Sequence, residues 1–193
     1  LCFPRLLQLI DWAVEPEFLD QELSRLSPER LKGARVVDKL AKVKLLTGQD
    51  AFLIIHTEVQ AQSSGEFEER MWVCNYRLHD RFAMPVVSLA VLADEDPKWG
   101  PHVYHCEVAG CIQHFEFPVF KVLDCEEPER EFEATGNPFA LVVAAHQAGM
   151  RTRRELAARA EERFRLVKYL YGKGLSGEAV RTLFRVIAWL TQM

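Results

Sequence analysis

Residues 36–62 read VVDKLAKVKLLTGQDAFLIIHTEVQAQ, and this stretch decides the fold. Two runs rich in apolar residues flank turn-forming residues at 47–50, a pattern typical of a β-hairpin. A hairpin centred near Gly48 pairs residues whose numbers sum to about 96 or 97. The first register places Asp38 directly opposite Glu58, with Cβ atoms roughly 5 Å apart. The second register needs a bulge to bring them onto one face.

The two opposed acids suggest a cation site. Directly opposed like charges destabilise a hairpin unless a cation neutralises them or water screens them. Two carboxylates with a nearby main-chain carbonyl and waters suit Mg²⁺, which binds hard oxygen ligands at roughly 2.0 to 2.1 Å. Because side chains alternate along a strand, His56, Glu58 and Gln60 share a face. The alternative interpretation is a pair of solvated acids on an exposed hairpin face.

Composition bounds the class of protein. The chain has 193 residues, 49% of them hydrophobic, and can bury the core of one domain with a helical appendage. It contains no run of about 18 apolar residues, so no membrane partner is expected. It begins without Met and without a secretory signal, as a fragment of a longer protein would, so a removed upstream signal stays open. Its five cysteines lack the density of a disulfide scaffold, which favours a cytoplasmic location.

Charge is segregated along a chain whose net charge is −4. Residues 30–44 hold six basic side chains and residues 151–173 hold eight, whereas residues 124–133 hold six acids. The ordinary interpretation of such runs is a solvated surface. The first basic run differs in one respect, because it surrounds Asp38.

Periodicity and turn residues predict the remaining elements. A helix is expected over 16–26, and a second from Ser63 or Ser64 to about Phe82, with Ser63 and Glu66 forming a capping box. Strands are expected over 85–92, 103–108 and 115–123, the last two joined through 109–110. Helices are expected over 139–148, 152–171 and 176–191. This order of elements indicates an α/β or α+β fold.

Several segments carry a resemblance to a known family. DKLAKV, HTEVQAQ, FEERMWVCNYRLHDRF, PVVSLAVLADE and NPFALVVAAH resemble the Rpn family of recombination-promoting, transposase-associated nucleases, the YhgA-like group of the PD-(D/E)XK nuclease superfamily. The resemblance extends over nearly the whole chain. It implies an α/β fold with a restriction-endonuclease-like mixed sheet flanked by helices and a C-terminal helical segment. The implied domains are an N-terminally truncated nuclease-like core, 1–135, and a helical extension packed on it, 136–193.

The resemblance also implies an activity, the Mg²⁺-dependent hydrolysis of DNA phosphodiester bonds by a bacterial endonuclease, with Mn²⁺ able to substitute. Asp38 and Glu58 match the metal-binding carboxylates, the Val59 carbonyl would be a further ligand, and Gln60 takes the position of the usual lysine. Neutral Gln60 can orient water through its amide but cannot carry a charge, so the metal would do more of the work. Glu22 could add an acidic ligand, although an exposed helix glutamate is the simpler interpretation. A hydrogen-bonded core histidine is likewise the simpler interpretation of His56.

DNA is the partner that the resemblance implies, with a homodimer left open. The side chains expected to contact its backbone are basic residues near the hairpin and on the following helix: Arg35, Lys39, Lys42 and Arg70, with Tyr76 and Arg77 as further candidates. The alternative function is a catalytically inactive nuclease-fold module that binds DNA or a protein and derives from a mobile element.

A second constellation of metal-ligand residue types occurs in HVYHCEVAGCIQH. It contains His102, His105, Cys106, Cys111 and His114, which superficially suggest zinc. Four residues separate the two cysteines across an Ala-Gly turn, and the first two histidines fall on opposite faces of a strand. We therefore interpret this segment as a hairpin whose Cys and His residues are incidental.

Overall fold

The computed structural model describes residues 2–19, 37–46, 52–60, 63–152, 155–173 and 176–190. At some of these positions, Asp38 and Glu58 among them, it describes the backbone and not the side chain. The chain forms two compact units, Cys2–Lys121 and Val122–Met193. The boundary between these units lies earlier than the boundary implied by the resemblance, which follows residue 135. The acidic segment groups with the helices that follow it.

The first unit is built on a five-stranded mixed sheet in the order β1-β2-β3-β4-β7. Its strands are β1 (Glu17–Phe18), β2 (Val37–Lys44), β3 (Phe52–Gln60), β4 (Val86–Leu92) and β7 (Val119–Lys121). Strand β2 pairs antiparallel with both β1 and β3, whereas β4 pairs parallel with both β3 and β7. The register pairs Asp38 with Glu58, which confirms the first of the two predicted registers. The turn at 47–50 lies outside the described residues.

Helix α2 (Phe67–Phe82) connects β3 to β4, as a parallel pair requires. Phe67 and Met71 are fully buried and pack on Ala90 and Leu92 of β4. Asn75 Nδ2 of α2 donates to the carbonyl of Val86 at 3.2 Å and to Ser88 Oγ at 3.1 Å. These contacts fix the rotation of α2 against the sheet, and with it the direction of every other side chain on the helix.

Alternation along the strands gives the sheet two covered faces. Leu40 of β2 packs with Leu78 of α2, whereas Val43 of the same strand packs with Ile10 and Leu53. Ile10 follows the short helix α1 (Pro4–Leu7) and forms an isolated bridge with Leu45. One face is thus covered by α2 and the other by the N-terminal segment.

A separate two-stranded sheet consists of β5 (Val103–Val108) and β6 (Cys111–Glu116). Its turn residues have positive φ, 52° at Ala109 and 80° at Gly110, as a two-residue type I′ turn requires. The Tyr104 ring stacks on Trp72 of α2, with centroids 4.8 Å apart and planes inclined by 12°. This stacking attaches the hairpin to α2.

The second unit is helical. After a 3₁₀ turn at Val122–Asp124 it contains α3 (Pro128–Thr135), α4 (Pro138–Arg151), α5 (Leu156–Gly172) and α6 (Gly177–Leu190). Phe132, Leu141, Leu166 and Leu170 form its buried core with Val180. No helix in the described ranges has both the length and the apolar character needed to cross a membrane.

The structure corrects three expectations about local elements. The helix predicted over 16–26 is wrong in its described part, because Glu17–Phe18 is a strand paired with β2 and Leu19 N donates to Leu40 O at 2.8 Å. The rest of that prediction lies outside the described residues. The capping box is also wrong, because no side-chain cap bond forms at the start of α2 and its N-cap is Glu66.

The third correction concerns the strand predicted over 115–123. It is two strands, β6 and β7, because β6 ends at Glu116 and a new strand begins after Pro118. Proline lacks the amide hydrogen that a ladder needs, and the chain then changes partner from β5 to β4. Helices α1 and α3 were not predicted, whereas the described parts of α4, α5 and α6 lie where the periodicity places helices.

Candidate functional site

The parallel strands end together at one edge of the sheet. The register aligns Gln60 of β3 with Leu92 of β4, and Leu92 with Lys121 of β7. In open α/β sheets, ligands bind outside the carboxyl ends of parallel strands. A functional site is therefore expected at this edge.

Gln60 and Arg70 form a buried pair at this edge. Their side chains are only 4% and 6% exposed, and Arg70 Nη2 donates to Gln60 Oε1 at 2.7 Å. The Arg70 Cζ lies 5.2 Å from the centroid of the Phe67 ring, which adds a cation–π contact. A guanidinium only donates, so the amide atom facing Arg70 is the oxygen. The pair joins the end of β3 to the first turn of α2 through a charge-assisted hydrogen bond.

Asp94 and Lys121 form a second buried pair at the same edge. Lys121 Nζ lies 3.4 Å from both Asp94 carboxylate oxygens, and the two side chains are 3% and 7% exposed. The ammonium also donates to the carbonyl of Asp96 at 2.5 Å and to that of Trp99. Lys121 thereby holds the loop after β4 closed over the end of β7. Sequence reasoning missed this pair, although a lysine within the apolar run of a predicted strand was a signal.

The predicted metal-binding acids lie on the hairpin, next to this edge. The register places Glu58 between Asp38 of β2 and Ala90 of β4. Gln60 follows two residues later, and its carbonyl accepts from Ala93 N at 2.8 Å. Val59 is half-buried and pairs with Val37 and Val91. The backbone thus brings Asp38, Glu58, Val59 and Gln60 together, and a shared ion stays a prediction.

The predicted DNA-contacting residues are not brought together in the same way. Lys39 is exposed, but it alternates with Leu40 and so belongs to the face opposite α2. Lys42 is half-buried and has the same strand parity as Leu40. Arg70 is buried beside Gln60 rather than displayed on the surface. Arg35 and the accessory acid Glu22 lie outside the described residues.

The remaining candidates occupy α2 and the second hairpin. Tyr76 is 44% exposed, and its ring centroid lies 5.2 Å from that of Trp72. In the second hairpin, His105 and His114 are register partners, and His114 Nε2 lies 2.9 Å from Glu116 Oε1. Within the described residues, no group of three or more His, Cys, Asp or Glu side chains is placed to hold a metal ion.

No family model, curated protein or solved structure matches this chain. The described residues form a mixed α/β arrangement with a helical unit.

Proposed function

We propose that the protein is a metal-dependent DNA endonuclease of the PD-(D/E)XK type, with Asp38, Glu58 and Gln60 at its catalytic centre. The observation that carries the proposal is the register of the β2–β3 hairpin, in which Asp38 and Glu58 are direct partners. Gln60 follows on the same strand, at the carboxyl edge of the parallel strands. The mixed sheet with α2 between β3 and β4 supports a restriction-endonuclease-like arrangement.

The donor set fits Mg²⁺. Direct partners in an antiparallel pair have Cβ atoms roughly 4.5–5.5 Å apart, so carboxylates at positions 38 and 58 are within reach of one ion. Together with the Val59 carbonyl they supply the hard oxygen ligands that Mg²⁺ and Mn²⁺ prefer. When bound, such an ion lowers the pKa of a coordinated water and neutralises charge on a phosphate.

The protein's own contribution is to position the reactants. Gln60 is neutral, so its amide N–H groups would orient the attacking water or a phosphate oxygen without accepting a proton. The buried hydrogen bond from Arg70 to the Gln60 amide oxygen restricts the rotation of that amide. Positioning of this kind lowers the activation barrier because the reacting groups lose less entropy on reaching the transition state.

The second candidate function is a nuclease-fold module that binds DNA or a protein without cutting. The observation that favours it is the burial of Arg70, which removes one of the expected DNA-contacting side chains from the surface. In this alternative, the neutral residue in the lysine position reflects a lost activity.

Cleavage of plasmid DNA separates the two functions. We expect nicking or cutting in Mg²⁺ or Mn²⁺ that is lost in EDTA. Asp38→Ala should reduce cleavage to the EDTA level while DNA binding in Ca²⁺ is retained or slightly stronger, because a negative charge beside the phosphate is removed. Asp80→Ala, an exposed acid on α2, is the matched control and should cleave as the wild type does. A protein that binds DNA but cleaves no faster than Asp38→Ala is the binding module.

A further inference from the structure

One face of the second hairpin carries two histidines side by side. His105 of β5 and His114 of β6 are direct register partners, so their side chains leave the same face of the two-stranded sheet. Their ring centroids lie 6.0 Å apart, and the ring planes are inclined by 69°. Both residues are exposed. A solute in the surrounding water can therefore reach both imidazoles at once.

The separation of the two rings suits a shared metal ion. Zinc binds imidazole nitrogen at about 2.0–2.1 Å, so two imidazoles on one tetrahedral ion have ring centroids roughly 5 Å apart. Direct partners in an antiparallel pair start from Cβ atoms about 5 Å apart, which leaves both rings within reach of one ion. Because both side chains are exposed, they can make the small rotation that closing on an ion requires.

Glu116 orients one of the two rings. Its Oε1 lies 2.9 Å from His114 Nε2, and an ionised carboxylate only accepts hydrogen bonds, so Nε2 carries the hydrogen. In the neutral ring, Nδ1 is then the nitrogen with an available lone pair. Metal-binding histidines in proteins almost always donate their other ring N–H to a carboxylate, a backbone carbonyl or water. The contact between Glu116 and His114 is of this kind.

The cysteines of this segment do not belong to the histidine pair. Cys106 and Cys111 alternate in position with the two histidines along β5 and β6, so they belong to the other face of the hairpin. We keep the interpretation of the cysteines as incidental and revise it for the histidines. A pair of nitrogen donors suits Zn²⁺, Ni²⁺ and Cu²⁺, whereas Mg²⁺ prefers oxygen.

We propose that His105 and His114 bind a Zn²⁺ ion on the exposed face of the second hairpin, with Glu116 orienting the His114 ring. Two protein ligands leave the remaining positions of the ion to water, so the site is open and binds more weakly than a four-ligand structural site. The ion links β5 to β6 and makes the hairpin more rigid. The inference does not rest on the proposed nuclease centre, which lies on the other sheet and uses oxygen donors.

Calorimetric titration with Zn²⁺, without DNA and in excess Mg²⁺, tests the pair. We expect one Zn²⁺ ion to bind per chain. His105→Asn and His114→Asn should each abolish this binding, and Glu116→Gln should weaken it about 10-fold to 100-fold, the range typical of losing the hydrogen-bond partner of a metal ligand. All three side chains are exposed, so these substitutions leave the fold intact.

Three variants serve as controls and should bind Zn²⁺ as the wild type does. His102→Asn removes an exposed histidine just before β5, and Cys111→Ser removes an exposed thiol from the other face of the hairpin. Asp38→Ala removes a ligand of the proposed nuclease centre. Nuclear magnetic resonance of the imidazole nitrogens adds a structural measurement, in which Zn²⁺ should shift the signals of both His105 and His114.

Several outcomes would overturn the zinc site. Undiminished binding in His105→Asn or His114→Asn, or an unchanged signal of either ring, would show that the two histidines do not share an ion. Loss of binding in Cys111→Ser would place the ion on a thiol, and loss in Asp38→Ala would place it at the proposed nuclease centre. A wild type that binds Zn²⁺ through the histidines but cleaves no DNA would contradict the nuclease proposal alone.

Discussion

The surroundings of Lys121 constrain its substitution strongly. Its ammonium is shared between the buried Asp94 carboxylate and two loop carbonyls whose hydrogen bonds are partly buried. A buried ion pair is no guarantee of stability, but removing one partner leaves the other charged and unsolvated. The consequence of a substitution at this position is therefore larger than the 3.4 Å separation from Asp94 would suggest.

We predict that Lys121→Met lowers the free energy of unfolding by about 3–5 kcal/mol, because it leaves the buried Asp94 carboxylate without its cationic partner. Urea denaturation measures this change. Lys98→Met, an exposed lysine in the loop after β4, should stay within about 0.5 kcal/mol of the wild type. Equal effects of the two substitutions would show that the Lys121 ammonium remains solvated in solution.

Individual contacts of the candidate site were predictable to different degrees. The pairing of Asp38 with Glu58 follows from a turn near Gly48 and a period of two, both of which are local properties. The bond between Arg70 and Gln60 depends on how α2 is rotated over the sheet, which is set by tertiary packing through Phe67. The rotation of the helix cannot be derived from the spacing of residues in a strand or a helix. Arg70 was therefore predicted to contact DNA, and its hydrogen bond to Gln60 was not predicted.

At the scale of elements, β2 presents two lysines to opposite faces of the sheet. Lys42 has the parity of Leu40, which packs under α2, and Lys39 has the parity of Val43, which packs with Ile10. If DNA approaches the carboxyl edge of the parallel strands on the side of the sheet that carries Gln60, Lys42 is the lysine of this pair that lies on the same side. The strand thus provides a matched pair of identical side chains three residues apart.

We predict that Lys42→Ala reduces the slope of log K against log salt concentration by about 0.9, the effect of one lost phosphate contact. Lys39→Ala should leave the slope unchanged. Fluorescence anisotropy with a DNA duplex in Ca²⁺ across a salt series provides the measurement. A reduced slope in Lys39→Ala alone would place the DNA on the opposite face of the sheet.

Helices α3 and α5 are joined by a polar network on the surface of the helical unit. Glu133 accepts from Lys173 Nζ at 2.8 Å and from the Tyr169 hydroxyl at 3.1 Å. The hydrogen bond from Lys173, and then that from Tyr169, lowers the pKa of Glu133 below its ordinary value. A lowered pKa in the folded state means that the stabilising effect is complete above the unfolded-state pKa and is lost as pH falls through the folded-state value.

We predict that Glu133→Gln lowers the thermal midpoint at neutral pH and that this difference disappears in acid, once Glu133 of the wild type is protonated. Thermal unfolding followed by circular dichroism between neutral and strongly acidic pH measures it. The effect should be small because the group is exposed. Glu126→Gln, an exposed acid outside this network, should show no comparable dependence on pH. A difference that grows toward acid would contradict the assigned contacts.

Elements formed by local interactions were predicted more accurately than elements formed by contacts between residues distant in sequence. The apolar run of β4 and the periodicity of α4 identify those elements locally, and both occur where predicted. Strand β1 exists because Glu17 and Phe18 hydrogen-bond to β2, and β7 exists because the chain after Pro118 pairs with β4. These pairings join residues distant in sequence, which no local pattern contains. Strand β1 was therefore assigned to a helix, and β7 was merged with β6 in one predicted strand.

At the scale of the whole molecule, the order of the predicted elements indicated a mixed α/β chain, whereas its two compact units depend on packing that no local pattern contains. The acidic run at 124–133 was interpreted as a solvated surface, and the resemblance placed it within the nuclease-like core, 1–135. In the structure, three of the six acids lie on α3, whose Phe132 is part of the helical core. A single buried phenylalanine within a run of acids is a weak periodic signal, and packing against α4 and α5 decides its placement.

Both outer strands of the five-stranded sheet are short, so each has few backbone groups available for hydrogen bonding. In its described part, the outer strands are β1, with two residues, and β7, with three, whereas the inner strands span seven to nine. A border this short offers few unpaired backbone groups to an incoming strand, which is how natural proteins avoid edge-to-edge aggregation. If two copies of this chain associate, the five-stranded sheet is therefore not expected to continue across the interface through β1 or β7.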